Sequence, residues 1–473
     1  MNFYFCLKKT NQLAITLKNM EIQQKQLFGH PRGLYILFLT EMWERFSFYG
    51  MRALLVLFLV SSVNGNNPGF GWTSSEALKL YGIYTFLVYL SSIPGGILAD
   101  KFIGQKKAVI LGGILLVLGH SILAVQSITA FYVGLGLIIA GVGCLKPNIS
   151  TMVGGLYPKG DDRRDKGFTI FYIGINIGAF LAGIIIGYVG ETIGWHYGFG
   201  LAGIGMAMGL IIFIFGQKYL KGVGEATKGL SVADQAIKNK PLSNIEKDRI
   251  LVMLLSFLMI IVFWGAFEQA GGLMNLYASE KTNRVIGFLN WTVPATWFQS
   301  VNSFFIITLG IPVAAFWFNW KKKGKEASSI FKIAIGVVIM GWGFLFMSAA
   351  SMQFQNDGAS AMYWLVIAYL FHTIGELCAS PVALSFITKL APLKYASIMM
   401  GVFFAATGLG NYVAGWVGVW SQTAGELEIF TGIAIFCTII GGLVIAIRKP
   451  LIRLTHGAED FSESTIGKKA ELG

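Results

Sequence analysis

Charge is what this sequence has least of. Only 13 % of its 473 residues are Asp, Glu, Lys or Arg, against about 25 % in a typical soluble domain. Cysteine is also scarce, and the four cysteines show no CxxC spacing, which argues against a disulfide framework and a cysteine metal site. The first 30 residues lack the apolar core of a signal peptide. Met20 opens a chain that keeps every apolar run, so residues 1–19 are either a dispensable tail or a mis-assigned start.

Long apolar runs take the place of the missing charge. Hydrophobic residues make up 55 % of the chain, and the mean hydropathy is +0.63. The runs are about 18–25 residues long, the length that crosses a bilayer as a helix. Lipid offers no hydrogen-bond partner to an open strand edge, so the spans are expected to be helical. The sequence therefore predicts an all-α integral membrane protein and excludes a soluble enzyme, a disordered chain and a disulfide-stapled fold.

Twelve spans are predicted, in two groups of six. The longest polar stretch, residues 221–247, separates the groups and contains no apolar run that could supply a further pair of helices. Ser243 and Glu246 have capping-box spacing at its end, and residues 232–237 form either a short amphipathic helix or a solvated loop. The expected spans are 33–60, 76–99, 107–125, 128–152, 168–190, 198–218, 250–277, 294–319, 329–352, 361–388, 396–420 and 428–447.

The domain organisation follows from the same pattern. The predicted segments are a cytoplasmic N-terminal tail (1–32), an N-terminal six-helix half (33–220), a cytoplasmic linker (221–248), a C-terminal six-helix half (249–454) and a cytoplasmic C-terminal tail (455–473).

Basic residues predict the orientation. Of the 37 Lys and Arg residues, 31 fall in the two tails or at the even-numbered junctions, and only Lys79, Lys281 and Arg284 fall on the opposite side. This bias follows the positive-inside rule and places both termini in the cytoplasm. The net charge of +13 is thus a topology signal, and nucleic acid is not an expected partner.

Seven ionisable residues interrupt the apolar spans. Each costs about 2.5–3.5 kcal/mol at a helix centre, so seven unpaired charges would cost on the order of 20 kcal/mol, more than the net stability of most domains. They must pair with one another or face water. Ion pairs that only hold helices together are one explanation, but intramembrane charges more often mark substrate and proton pathways. The seven are Glu41, Glu44, Arg45, Arg52, Lys146, Glu268 and Glu376.

The charges also share a pattern. Those between residues 41 and 52, together with Phe48 and Tyr49, fall within about 140° of one helix face. The others lie on spans 4, 7 and 10, so the charged helices are the first and fourth of each predicted half, as expected of a transporter. Four carboxylates against three cations leave a charge of −1, which one bound proton would neutralise. The pattern predicts a central site that exchanges a proton.

Short motifs identify a family resemblance that covers nearly the whole chain. Residues 41–50, EMWERFSFYG, resemble the ExxERFxYYG signature of proton-dependent oligopeptide transporters in the major facilitator superfamily. Residues 171–178, FYIGINIG, resemble the FYxxINxG signature of the fifth span. Weaker similarities follow in the expected order at residues 96–104, Lys146-Pro147-Asn148, Phe263-Trp264 with Glu268-Gln269, Gln299-Ser300 with Asn302, Glu376 with Ser380-Pro381, and Gly410-Asn411.

The resemblance implies a major facilitator fold and a symporter that imports di- and tripeptides with protons by alternating access. Carried over residue by residue, Glu41, Glu44 and Glu268 would couple the proton. Arg52 and Glu268 would form an ion-pair gate between the halves. The implied peptide site has Arg45 and Lys146 for the carboxylate, Glu376 for the ammonium group, Asn176 and Asn302 as neutral partners, and Tyr49 and Tyr89 in its wall.

Two departures from the family pattern leave the cargo open. Phe48 stands where the family has the first Tyr of its YYG, and Phe403 stands where a Trp is usual. The alternative is therefore the same carrier with a non-peptide anion or a drug-like solute. An ion channel is disfavoured because no filter sequence is present, and an integral-membrane enzyme is disfavoured because no acid–base or metal constellation lies at the span ends.

The remaining expectations concern partners and location. No cofactor or metal is expected, because the proton gradient would drive transport. The chain is expected to work as a monomer in the plasma membrane, or in the inner membrane of a bacterium, with the lipid bilayer as its surroundings.

Overall fold

The computed structural model describes residues 26–158, 161, 163–225, 242–392 and 395–458, and these residues are mostly helical. The helices are α1 Arg32–Val60, α2 Ser74–Ile103, α3 Gln105–Leu123, α4 Ile128–Gly155, α5 Arg163–Ile193, α6 Trp195–Tyr219, α7 Asn244–Glu280, α8 Trp297–Lys322, α9 Ser329–Asp357, α10 Met362–Leu390, α11 Ala396–Ala424, α12 Glu426–Ala446 and the short α13 Arg448–Leu454.

Short strands join some of the loops. The antiparallel pairs are β1 Gln26–Leu27 with β2 His30–Pro31, and β4 Val285–Ile286 with β5 Trp291–Thr292; β3 Thr282–Asn283 runs parallel to β6 Ser360–Ala361. The β3–β6 pair fastens the end of α7 to the start of α10.

Eleven of the described helices, α2 to α12, are long and apolar enough to cross a membrane. The prediction of an all-α, multi-span membrane protein is confirmed at this level. Helix α1 is also long enough, at 29 residues. It falls outside this group because Glu41, Glu44, Arg45 and Arg52 near its middle leave no sufficiently uncharged stretch. A twelfth span therefore stays a prediction.

The seventh predicted span, 250–277, differs from the structure in its detail. The helix begins earlier, at Asn244, behind the predicted capping box: the Ser243 hydroxyl accepts from the Glu246 N–H, and the Glu246 carboxylate accepts from the Ser243 N–H. A 3₁₀ turn at Glu268–Ala270, followed by two glycines, then interrupts α7, and this break within the span was not predicted. The short helix suggested at residues 232–237 lies outside the described residues.

Glycine allows α5 to approach α1 closely. A Cβ atom on Gly178 would lie 2.1 Å from the backbone oxygen of Met42, and one on Gly174 would lie 2.7 Å from the Phe38 ring. Small residues four apart in the sequence let membrane helices pack backbone to backbone, and Gly174 and Gly178 have this spacing. This contact holds the charged segment of α1 against the helix that carries Asn176.

Replacing Gly178 by Ala should therefore destabilise the protein. The added methyl group overlaps a backbone oxygen that cannot move without shifting α1, a kind of overpacking that costs about 1–3 kcal/mol. We expect a lower midpoint of thermal unfolding in detergent. Gly432→Ala on α12 is the control, since a Cβ there meets no atom within 4 Å; equal midpoints for the two variants would contradict this packing.

Candidate functional site

A central cavity of about 250 Å³ lies among α1, α4, α5, α7, α8 and α10. Nine of the eleven predicted site residues line it: Glu41, Arg45, Tyr49, Arg52, Lys146, Asn176, Glu268, Asn302 and Glu376. The other two lie beside it. Glu44 is fully buried against Arg45, and the Tyr89 ring faces Lys146, whose ammonium nitrogen is 3.9 Å from the ring centroid.

Arg45 lies between two carboxylates of its own helix. Its Nε atom is 2.9 Å from Glu41 Oε1 and also contacts Glu44 Oε2, and all three side chains are at most 3 % exposed. Glu41 lies four residues before Arg45, about one helical turn, and Glu44 directly precedes it in the chain. With both acids ionised, the group carries a charge of −1. Among the described residues, Arg45 Nη2 has no hydrogen-bond partner, which leaves a buried N–H donor beside the cavity.

Arg52 and Glu268 form the ion pair that the sequence predicted. Arg52 Nη1 donates to both carboxylate oxygens of Glu268, at 3.0 and 3.1 Å, and its guanidinium carbon lies 4.7 Å from the centroid of the Tyr49 ring. The pair joins α1 to the 3₁₀ turn of α7. Because both side chains are largely buried, little water competes for the contact.

Tyr81 is a partner of Glu268 that the sequence analysis missed. Its hydroxyl donates to Glu268 Oε2 at 2.7 Å, so α2 joins the same contact. Gly271 makes this possible, because a Cβ atom there would lie 2.0 Å from the Tyr81 hydroxyl oxygen. No spacing rule connects Tyr81 with a glycine almost two hundred residues later in the chain.

The opposite wall of the cavity is acidic. Asn302 Nδ2 on α8 donates to Glu376 Oε2 at 2.9 Å and to Thr373 Oγ1 at 3.0 Å, which orients the carboxylate on α10. Asn176 donates along its own helix to the Tyr172 carbonyl at 3.0 Å. Both amides line the cavity, and each donates to an acceptor of the protein.

A second contact, the Glu191 clasp, is partly buried and joins α5 to the start of α8. It comprises Glu191, Arg284, Ala295 and Thr296. Glu191 accepts from the N–H groups of Ala295 and Thr296, both at 2.9 Å, and from the Thr296 hydroxyl at 2.6 Å, and Arg284 Nη1 lies 3.7 Å from its Oε2. A carboxylate from one segment thus caps a helix of another. Burial lowers the pKa of Arg284, and the charge of Glu191 opposes that shift.

One sequence signal could have indicated the clasp. Glu191 directly follows a predicted span, on the side that holds only three basic residues, one of which is Arg284. Pairing an isolated acid with an isolated base on the same side would have suggested the contact, although not its backbone donors.

The site has the donor types that bind charged organic groups rather than metals. Among the described residues, no cluster of three or more His, Cys, Asp or Glu side chains could hold a metal ion. Arg45 and Lys146 supply a cationic region on α1 and α4, while Glu376 supplies an anionic region on α10. A solute with a positive and a negative group could contact both.

The family model described as the POT family matches residues 106–238 and 228–424 of the chain. This protein belongs to the POT family. The predicted family is thereby confirmed, and the chain is a transporter rather than an enzyme.

Individual relatives of this POT family member are similar over nearly their whole length. The peptide transporter YePEPT of Yersinia enterocolitica is 34 % identical over 92 % of this chain and 97 % of its own. The di-/tripeptide transporter of Lactococcus lactis subsp. cremoris is 33 % identical over 93 % of this chain and 99 % of its own.

Solved structures of the POT family are also similar. A crystal structure of the peptide transporter POT in complex with sulfate has a TM-score of 0.84 at 32 % identity and covers 91 % of this chain and 97 % of its own. A POT family transporter in complex with 5-aminolevulinic acid has a TM-score of 0.83 at 29 % identity, with 90 % of this chain and 98 % of its own covered.

The contact between Gly271 and Tyr81 can be tested by a double-mutant cycle on this POT family transporter. Gly271→Ala should displace the Tyr81 hydroxyl, and Tyr81→Phe should remove its hydrogen bond to a charged group; each is expected to lower stability by about 1.5–3 kcal/mol. The double variant should lose less than the sum, because Phe leaves room for the methyl group.

Thermal unfolding in detergent measures all four proteins of the cycle. Gly310→Ala on α8, where a Cβ meets no atom within 4 Å, serves as the control. Strictly additive losses would mean that Gly271 and Tyr81 do not depend on one another.

Proposed function

We propose that the protein is a proton-coupled symporter that imports di- and tripeptides by alternating access. The observation that carries this proposal is one cavity lined by Arg45 and Lys146 on one side and by Glu376 on another, with Glu41 and Glu44 buried against Arg45. Relatives that match almost end to end and are named as peptide transporters support the cargo.

The fixed chemistry of a peptide explains why such a site suits it. Peptides of different sequence share a carboxylate, an ammonium group and an amide, and little else. The Arg45 guanidinium, with its buried Nη2 donor, is suited to the carboxylate because its N–H groups can bind both oxygens. Glu376, held by Asn302, is suited to the ammonium group. A site that reads the two ends tolerates many side chains between them.

Charge balance gives a reason for coupling. A peptide carboxylate arriving at Arg45 would be the third anion on a guanidinium that already contacts Glu41 and Glu44. Adding a proton to one of these acids removes one negative charge, so proton and peptide each favour the binding of the other. Protonated Glu268 likewise loses its charge attraction to Arg52, which loosens the contact between α1 and α7.

The proposed fold has α1 as a twelfth span and two six-helix halves. At 29 residues, α1 is about 43 Å long, enough to cross a hydrocarbon core of about 30 Å. Its charged residues contact one another or line the cavity, where their insertion cost is offset. The distribution of 31 basic residues on one side supports two cytoplasmic termini. The protein is proposed to work without a cofactor, as a monomer, in the plasma membrane or a bacterial inner membrane.

This topology implies an inward-facing state. Arg52–Glu268, Tyr81–Glu268 and the Glu191 clasp join the first six helices to the later ones. All lie towards the end at which α1 finishes, the outer end in the proposed orientation. Each would have to open once per cycle.

The main experiment is uptake of labelled dialanine into proteoliposomes with an inside-negative, outside-acid gradient. Saturable, gradient-driven uptake is expected, and Glu376→Gln should lower it at least about tenfold, since it removes the only formal charge offered to the ammonium group by α10. Glu428→Gln, an exposed acid on α12, is the matched control. The peptide assignment would be overturned if the folded protein carried another solute but took up no dialanine.

Proton coupling is tested by comparing two modes of transport. Glu41→Gln, Glu44→Gln and Glu268→Gln, made singly, remove a titratable group while keeping its shape. At least one should lose gradient-driven uptake by about tenfold or more and keep peptide exchange across a membrane without a gradient. If all three variants retained full gradient-driven uptake, these acids would not be the coupling groups.

The clasp gives a separate prediction. Glu191→Gln replaces a carboxylate acceptor by an amide with a single acceptor oxygen, so the outer contact should weaken by about 1 kcal/mol or more, a shift of about fivefold towards outward-open forms. Labelling of Ser300→Cys by a membrane-impermeant maleimide from outside measures this shift. The rate should rise with Glu191→Gln and stay constant with Glu428→Gln; a constant rate in both would remove the clasp from the gate.

A different cargo is the second candidate, and Phe48 is the observation that favours it. Its ring lies 5.7 Å from the Arg45 guanidinium carbon and offers no hydroxyl. A POT family relative has been solved with 5-aminolevulinic acid, which also carries an amine and a carboxylate. Uptake of labelled 5-aminolevulinic acid and of labelled dialanine, each measured in the parent and in Phe48→Tyr, separates the two cargoes: uptake of 5-aminolevulinic acid without uptake of dialanine in the parent would favour this alternative.

A further inference from the structure

A second cavity lies outside the central site, between α8, α9 and α10. It has a volume of about 450 Å³ and shares no lining residue with the central cavity. Every residue in its wall is apolar or a cysteine: Leu309, Val313, Phe316, Trp317, Trp320, Phe331, Ile335, Ile339, Ile374 and Cys378. We call this cavity the α8–α9 groove.

The groove has the length of one membrane leaflet. Its wall on α8 extends from Leu309 to Trp320, eleven residues or about 16 Å along the helix. This is about half of a hydrocarbon core of about 30 Å. On α9 it runs from Phe331 to Ile339 in the opposite chain direction. The groove therefore begins at the Lys-rich end of α8 and reaches towards the middle of the membrane.

Cations surround the mouth of the groove, each placed over an aromatic ring of its wall. Lys325 Nζ lies 4.2 Å from the Trp320 ring centroid, and Lys332 Nζ lies 5.4 Å from that of Trp317. The guanidinium carbon of Arg448 lies 5.9 Å from the Phe331 ring centroid. These three cations come from the α8–α9 loop, α9 and α13, so the fold collects them from separate segments.

The acid nearest in sequence holds the loop beside the mouth. Glu326 is next to Lys325, and its carboxylate accepts from the Ser328 N–H at 2.8 Å while its carbonyl accepts from Trp320 Nε1 at 2.9 Å. Its hydrogen bonds therefore shape the loop. Ser328 in turn caps α9, accepting from the Phe331 N–H, and the start of that helix adds positive potential at the mouth.

We propose that the α8–α9 groove binds one anionic phospholipid, with an acyl chain along the groove and the phosphate at Lys325, Lys332 and Arg448. The match of charge at the mouth and of leaflet depth in the wall carries the choice. A neutral lipid could fill the wall but would gain little from three cations, whereas each basic residue near a membrane surface contributes about 1 kcal/mol towards an anionic headgroup. Helix α8 also exposes the groove to the surroundings, since only 17 % of its most apolar stretch is buried within the chain, the smallest share among α2 to α12.

Native mass spectrometry of the full chain, titrated with phosphatidylglycerol or phosphatidylcholine, tests the proposal. The parent should retain one phosphatidylglycerol at least about tenfold more tightly than phosphatidylcholine. The triple variant Lys325→Gln, Lys332→Gln, Arg448→Gln should lose this preference. Lys107→Gln, Lys218→Gln, Lys221→Gln removes the same charge from exposed positions elsewhere on the same predicted side and should keep it.

Filling the wall provides an independent variant. Ile335→Trp places a large side chain inside the groove and should lower phosphatidylglycerol retention about tenfold, while Ile211→Trp, on a 53 % exposed position of α6, should not. Equal retention of the two lipids by the parent, or retention unchanged in both the triple variant and Ile335→Trp, would overturn the proposal. Unchanged retention in both variants is also the result expected if a second copy of the protein, or another segment of this chain, occupied the groove.

Discussion

The free-energy cost of placing charged side chains in lipid determines how the helices of this protein are arranged. Seven charged side chains interrupt its apolar helices, and six of them line one cavity while Glu44 lies directly behind Arg45. The helices are arranged so that these groups meet, because each unpaired charge would cost several kcal/mol. Close backbone contacts, such as that of Gly178 with α1, set the distances at which this pairing works. Packing and electrostatics are therefore two parts of one constraint.

The same constraint separates two kinds of ion pair in the site. Arg45 is held by acids of its own helix, so its surroundings persist when helices move relative to one another. Arg52 is held by an acid of α7 and depends on the helices staying together. A group within one helix, such as that of Arg45, is suited to binding a solute. A pair between two helices, such as Arg52–Glu268, is suited to a gate, because it breaks when the helices separate. The 3₁₀ turn at Glu268 adds to this division, because it places the carboxylate at a break in α7 where a small rotation can move it.

The helix positions and most of the central site were predictable from the sequence, because apolar runs mark membrane spans and buried charges are costly unless they are paired. Nearly every helix was expected close to its observed position, and Glu41, Arg45, Arg52 and Glu376 were expected to share a cavity because isolated charges in spans have few alternatives. Contacts that depend on the shape of a neighbour were not predictable. Tyr81 reaches Glu268 only because Gly271 has no side chain, and Glu191 binds backbone N–H groups, which every residue but proline offers. Neither the fit of Tyr81 to Gly271 nor the backbone donors of Glu191 leave a residue-type signal, although the pairing of Glu191 with Arg284 does.

The long-range cap on α8 has a consequence for how the two outer contacts respond to their surroundings. In the proposed transport cycle, separation of the Arg52–Glu268 pair leaves two buried charges without their partners, and a proton on the carboxyl group would lower the cost of that step. When Glu191 leaves Thr296, the freed donors lie at a helix end where incoming water can replace the carboxylate, at a net change of about 0.5–1.5 kcal/mol for each hydrogen bond. One contact is thus sensitive to proton supply and the other to hydration. In the proposed cycle, opening of the outer side would therefore require both a proton at Glu268 and water at the start of α8.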